Sequence, residues 1–151
     1  MLKYCIIILL FIPQLVYSIE ANDIVGKWYT KEDKSQIEIQ KADNNSYKGE
    51  IVWLKEPLYP SSDIKAGQIK VDSNNPDLSL RDRPIMGLKL LKDFKFDRNA
   101  KKWINGKIYN PDDGKMYNCY MHFNEEGNLF VRGSIDAWGL IGQTQTWKRV
   151  E

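Results

Sequence analysis

Apolar and polar residues alternate with a period of two along much of this chain, and no long stretch repeats with helical spacing. The alternation is clearest over residues 103–123. Two alternating runs there flank Pro111-Asp112-Asp113-Gly114. Proline presets φ, aspartates bond local backbone and glycine accepts positive φ, so the four residues predict the turn of a β-hairpin. Pairing Asn110 with Lys115 sets Ile108 opposite Tyr117, Gly106 opposite Cys119 and Ile104 opposite Met121. Successive strand side chains point to opposite faces. Ile104, Ile108, Tyr117, Cys119, Met121 and Phe123 then share an apolar face. The other face is mixed and carries Trp103, Asn105, Lys107, Tyr109, Met116, Asn118, Tyr120 and His122. A sheet with one side in water has this pattern.

The register propagates in both directions. Glu125-Glu126-Gly127 suits a three-residue loop with Gly127 left-handed, which sets Met121 opposite Val131 and Cys119 opposite Gly133. Ala137-Trp138-Gly139 repeats that loop and sets Gly133 opposite Gln143, Val131 opposite Gln145 and Leu129 opposite Trp147. Towards the N-terminus, strands are predicted over 25–30, 36–41, 47–54 and 87–96, with Gly49 at a bulge. In the last of these, Leu88, Leu90, Phe94 and Phe96 share a face that Lys92 interrupts. Either a bulge near Lys92-Asp93 or a lysine stem reaching to water resolves the conflict. Residues 55–83 lack alternation and are rich in Pro, Ser, Asp and Asn. Within them Asn75-Pro76-Asp77 predicts a helix start, Asn75 as cap and Pro76 in the first turn, for one short helical turn through Arg81. Seven or eight antiparallel strands in one all-β domain favour closure into an up-and-down barrel, which leaves no exposed edge.

Composition removes some of the chain from that domain. Lys3 precedes an apolar run that ends near Val16-Tyr17-Ser18. A charged start, a run too short to span a bilayer and compact residues at its end predict a signal peptide over 1–18 and an exported protein, periplasmic or secreted. Cleavage after Ala21 is the alternative. The domain is then 19–151, with no further apolar run long enough to span a membrane. Loss of Cys5 leaves Cys119 alone, so no internal disulfide supports the fold. Loss of Lys3 takes the formal charge from +2 to +1. Near-neutral charge with interspersed signs gives no overall field for a polyanion or an anionic membrane, and it argues against a nucleic-acid partner despite five tryptophans.

Gly26-Lys27-Trp28 near the start and Trp147-Lys148-Arg149 at the end resemble the lipocalin-like, or calycin, pattern. The resemblance implies that Trp28 plugs one barrel end and Arg149 covers it. A second likeness spans nearly all of the domain. Asn75-Pro76-Asp77, residues 81–88 (RDRPIMGL), residues 103–111 (WINGKIYNP), Gly114-Lys115-Met116-Tyr117, Val131-Arg132-Gly133 and residues 142–147 (GQTQTW) are similar to an exported bacterial family known as domain of unknown function 2147. That family implies a lipocalin-like barrel and brings no established activity.

Few residues suit catalysis. Cys119 and His122 are three apart on one strand and point to opposite faces, so they form no dyad. A single histidine without ligand spacing makes no metal site, and no cofactor motif is present. Asp112 and Asp113 are turn residues at a hairpin tip. Arg81-Asp82-Arg83 beside Asp77 reads as a salt-bridged loop, or as a guanidinium over the barrel mouth able to hold an anion.

The shared face is more informative. Gly106, Cys119 and Gly133 form a row of small residues ending at Gln143, with Gln145 beside Val131. Glutamines on an apolar face need partners. Either they bond to each other, to Tyr117 or to backbone while an aromatic such as Phe94 fills the gap, or the row floors a small-molecule pocket. A one-residue slip would turn Thr144 and Thr146 inward instead. The expectation is a non-enzymatic exported barrel for a small apolar or amphipathic molecule. Gly106 and Gly133 make room in it, Tyr117, Gln143 and Gln145 orient the ligand, and Trp28 with Arg149 closes the far end. The alternative is a structural or protein-interaction module of the cell envelope that uses outward Tyr109, Tyr120 and Trp138.

Overall fold

The computed structural model describes residues 18–151, so the expected signal peptide lies almost wholly outside the described residues. Eight antiparallel strands follow one another around a closed barrel. They are β1 (Gly26–Tyr29), β2 (Ser35–Lys41), β3 (Tyr47–Leu54), β4 (Lys89–Asp97), β5 (Lys102–Asn110), β6 (Lys115–Phe123), β7 (Leu129–Ser134) and β8 (Gly142–Arg149). Helix among the described residues is limited to 3-10 turns at Ala21–Ile24, Lys31–Asp33 and Leu78–Leu80.

The registers of the second half follow from the alternation. Ile108 faces Tyr117, Gly106 faces Cys119, Cys119 faces Gly133, and Gly133 faces Gln143. Gln145 pairs with Val131 and Trp147 with Leu129, so Thr144 and Thr146 stay on the outer face. The last loop keeps the expected register: the strand ladder ends at Ser134 and Gly142, the Ile135 N–H still bonds to the Ile141 carbonyl at 2.9 Å, and Gly139 is left-handed at φ 76°.

Two bulges change which residues reach the core. On β5 the register shifts between Trp103 and Gly106, and Asn105 adopts φ 59°. The extra residue slips the alternation by one, as bulges do. Trp103, expected outside, therefore pairs with Met121 and is fully buried, while Ile104, expected inside, is half-buried. On β4, Asp93 adopts φ 66° at the predicted bulge. The slip turns Leu91 inwards, where it pairs with Ile108 and packs against Gly49, and Phe94 follows it into the core; Leu90, expected on that face, is buried as well.

Phe94 explains the first small residue of the row. A Cβ on Gly106 would stand 2.3 Å from its ring. A Cβ on Gly133 would meet the Ile108 Cγ2 methyl at 3.3 Å and the Tyr117 Cβ at 3.7 Å. Overpacking against a rigid ring costs about 1–3 kcal/mol. Gly106→Ala is therefore expected to lower the denaturant midpoint clearly, while Gly133→Ala stays within about 1 kcal/mol of the parent. Equal effects in an equilibrium unfolding experiment would contradict the Phe94 placement.

Candidate functional site: the open end of the barrel

Topology gives the barrel two unlike ends. The N-terminal 3-10 turn and the β2–β3, β4–β5 and β6–β7 turns gather at one end. The β1–β2, β3–β4, β5–β6 and β7–β8 connections gather at the other.

The first end is sealed. Trp28 is fully buried and its indole N–H donates to the Ile24 carbonyl at 2.8 Å. Trp103 donates likewise to the Ala21 carbonyl at 3.0 Å. Phe123 packs on both indoles, with ring centroids 5.8 and 5.3 Å away. The Arg149 guanidinium stands 4.2 Å over the Trp28 ring and donates to the carbonyls of Asp23 and Val25. A cation over an indole face is stabilised by the ring quadrupole. Gly26 accommodates this contact, since a Cβ there would lie 2.8 Å from an Arg149 nitrogen.

The middle of the lumen is protein-filled. Phe94 occupies the space over Gly106, and Ile108 leans towards Gly133. Cys119 between them is buried, and burial pushes its thiol up to about 12. Such a thiol is inert rather than nucleophilic.

The second end opens to solvent on its inner face. Gln143 is exposed, and Tyr117 and Gln145 are half-buried. Gln145 accepts the Trp147 indole N–H at 2.9 Å, which fixes its amide. The Tyr117 hydroxyl donates to Asp113, which also accepts the Lys115 N–H at 3.0 Å. Burial raises the Asp113 pKa, but these hydrogen bonds outweigh it and hold the carboxyl below its ordinary value. The hydrogen bond to Asp113, then burial, raises the Tyr117 phenol above the usual tyrosine value. Gly133 thus pairs with Gln143 and has Tyr117 beside it, Gln145 pairs with buried Val131 one step further in, Trp28 and Arg149 sit at the sealed end, and Gly106 lies beneath Phe94. Two surface depressions, of about 440 and 680 Å³, lie elsewhere. One runs along the outside of β2–β4 and the other beside the N-terminal turn.

A buried polar staple fixes one rim of the mouth. Asp72 is fully buried. It accepts the Tyr109 hydroxyl at 2.7 Å, the Asn75 amide at 2.7 Å, and two Arg83 N–H groups at 2.8 and 3.0 Å. The sequence set Arg81 and Arg83 beside Asp77. Instead Arg83 is paired with Asp72, and Arg81 donates to the Asn75 carbonyl. Asp77, not Asn75, caps the short turn by accepting the Ser79 N–H at 2.9 Å. Asn74 donates to the Pro111 and Asp112 carbonyls, so the β5–β6 tip docks on this connection. Gly114 makes the approach feasible: its φ is +70°, and a Cβ there would lie only 1.9 Å from the Asn74 carbonyl oxygen. Tyr109, expected as an outward anchor, is consequently buried. Tyr120 stacks against Phe130, and Trp138 remains 85% exposed. Asp72 was not legible in the sequence because no local spacing links it to Tyr109. The only signal was that a connection this long needs its own fastening.

The barrel, one sealed end and one open end define a lipocalin-like protein, a class that suggests binding of small ligands rather than catalysis. The chain belongs to the family described as uncharacterized protein conserved in bacteria (DUF2147), whose model matches residues 26–149. Among solved structures it is similar to HP1028 from the human pathogen Helicobacter pylori, described as belonging to the lipocalin family. The two are 28% identical with a TM-score of 0.67, over 84% of this chain and 82% of that one. No curated protein matches the chain. Among the described residues, no helix is long and apolar enough to cross a membrane, and no group of acidic, His and Cys side chains is arranged to hold a metal ion.

Two expectations follow from this geometry. Tyr109→Phe leaves buried Asp72 short of a donor, a loss of about 1–3 kcal/mol, so the 55–88 connection should be cleaved faster in limited proteolysis. Unchanged cleavage would show that Arg83 and Asn75 suffice. Tyr117 contributes stability that is complete below the ordinary tyrosine pKa and is lost as pH rises through its raised folded value. In an NMR titration of the Tyr117 ring, Asp113→Asn should move the midpoint downwards.

Proposed function

We propose that this protein is an exported, non-catalytic carrier that takes a small, largely apolar or amphipathic molecule at the open end of its barrel. One observation supports this most: the inner faces of the two ends are treated oppositely. Trp28, Trp103 and Met121 are fully buried, whereas Gln143 on the same inward side of the sheet is exposed. An apolar concavity with a few polar groups is how small-molecule sites are built. Ile108 and Gly133 supply the apolar wall, and Tyr117, Gln143 and Gln145 the groups that orient a polar end. Phe94 is the floor, seated by Gly106. Trp28 and Arg149 keep the opposite end shut. The burial of Cys119 and its separation from His122 across the sheet favour binding over covalent chemistry. The leader pattern at 1–18 supports export.

Titration with the fluorescent apolar anion anilinonaphthalene sulfonate tests the site. The parent should bind saturably, and Gly133→Leu, which fills the mouth, should weaken binding by about tenfold. Trp138→Ser, outside the barrel, should leave it unchanged. Equal affinity in the Gly133 variant, or no saturable binding by the parent, would overturn the proposal.

A further inference from the structure

The β7–β8 connection, residues 135–141, exposes four large apolar side chains. Ile135 is 72% exposed, Trp138 85%, Leu140 78% and Ile141 66%. The exposure is not that of a frayed turn. The Asp136 carboxylate accepts the N–H groups of Trp138, Leu140 and Ile141 at 3.0, 2.9 and 2.7 Å. Ile135 N–H bonds to the Ile141 carbonyl at 2.9 Å, and Gly139 N–H to the Asp136 carbonyl at 3.4 Å. The Ser134 hydroxyl donates to the Asp136 carbonyl at 2.8 Å. Arg132 reaches up from the barrel wall and donates to the carbonyls of Gly139 and Leu140 at 2.7 and 3.1 Å.

Two physical consequences follow. The apolar side chains are held outwards by an ordered backbone, so little further entropy is lost on docking. Most of the loop's backbone polar groups are also satisfied, by the loop itself or by Arg132, Asn118 and Ser134 at its base. Unsatisfied peptide groups are the main obstacle to placing irregular backbone in an apolar phase, and here that obstacle is largely removed. The loop contains no lysine or arginine, and its single carboxylate is enclosed by its own N–H groups.

Charge complementarity indicates what meets this tip. Arg132 stands at its base. Lys107 bonds to Asn118, and Asn118 donates to the Ile135 carbonyl at 3.3 Å. An apolar tip with two cations directly behind it fits a bilayer surface. Tryptophan lies in the interfacial layer and the cations lie level with the phosphates. A second copy or a protein partner fits less well, since four side chains on one loop fall far short of the roughly 20 residues a side of a stable interface.

We propose that residues 135–141 form a membrane-docking tip that seats in the interfacial layer of a phospholipid bilayer bearing anionic headgroups. Its flanking strands contribute Gly133 and Gln143, so docking brings the barrel mouth to the lipid surface. The inference stands independently of ligand binding.

Cosedimentation of the chain from Ile19 onwards with vesicles tests it, using phosphatidylcholine alone and mixed with phosphatidylglycerol. The parent should bind the mixed vesicles, with a blue shift of tryptophan emission. Trp138→Ser with Leu140→Ser should weaken binding by about tenfold or more. Lys107→Gln should weaken it only where phosphatidylglycerol is present. Unchanged thermal unfolding establishes that each variant is folded, and Ile135→Ser replaces the double variant if that one is not. Absence of parent binding to either vesicle, or equal binding by the tip variants, would overturn the proposal. So would a dimer in size-exclusion chromatography that the tip variants abolish without any vesicle binding. Because anilinonaphthalene sulfonate titration reads the mouth and cosedimentation reads the tip, the two proposals fail separately.

Discussion

Closure of this sheet depends on a short seam. β1 and β8 pair only at Trp28 with Arg149 and Tyr29 with Lys148. So brief a ladder holds because the same residues do more than pair. Trp28 is fully buried and tied to the Ile24 carbonyl, and Arg149 spans its indole while bonding to two carbonyls of the N-terminal segment. The first strand, the last strand and the segment before β1 thus meet in one cluster. Strand pairing, burial and cation–π attraction act on the same few atoms, and the sealed end exists because the sheet closes there.

The rest of the interior adapts to that cluster through bulges. A regular β5 would point Ile104 inwards and Trp103 to water. The left-handed Asn105 reverses this, so a second indole reaches the sealed end and finds the Ala21 carbonyl. The bulge at Asp93 brings Leu91 and Phe94 together inside, and Gly106 leaves the space that the Phe94 ring takes. One half of the barrel is consequently solid.

Those loops are fastened by polar rather than apolar contacts. Asp72 has all its oxygens engaged by Arg83, Asn75 and Tyr109, and Asn74 holds the β5–β6 tip. Burying a carboxylate is tolerable only with this degree of satisfaction. The β7–β8 loop uses the same device in miniature, with Asp136 inside and apolar side chains outside. Connections of limited apolar content are in this way given fixed shapes around an opening.

The alternation of residues by itself determined the barrel class, the β5–β8 registers from Gly106 onwards and the row from Gly106 to Gln143, and it narrowed the break at Lys92 to a bulge or a lysine stem reaching to water. These were legible because pairing follows from period-two patterning and turn chemistry, both local along the chain. The likeness of Gly26-Lys27-Trp28 and Arg149 to the lipocalin-like pattern points to the same end that Trp28 and Arg149 close. The tertiary structure alone decided that Trp103 replaces Ile104 inside, that Phe94 fills the place over Gly106, that Arg83 finds Asp72 and that Tyr109 is buried. Each of these joins residues far apart in sequence, or turns on one residue inserted into a strand, and alternation carries no record of either. The loop at 135–141 shows the same boundary. Its apolar residues were readable, but their outward display was set by Asp136 and Arg132 bonding the backbone once the strands were in place.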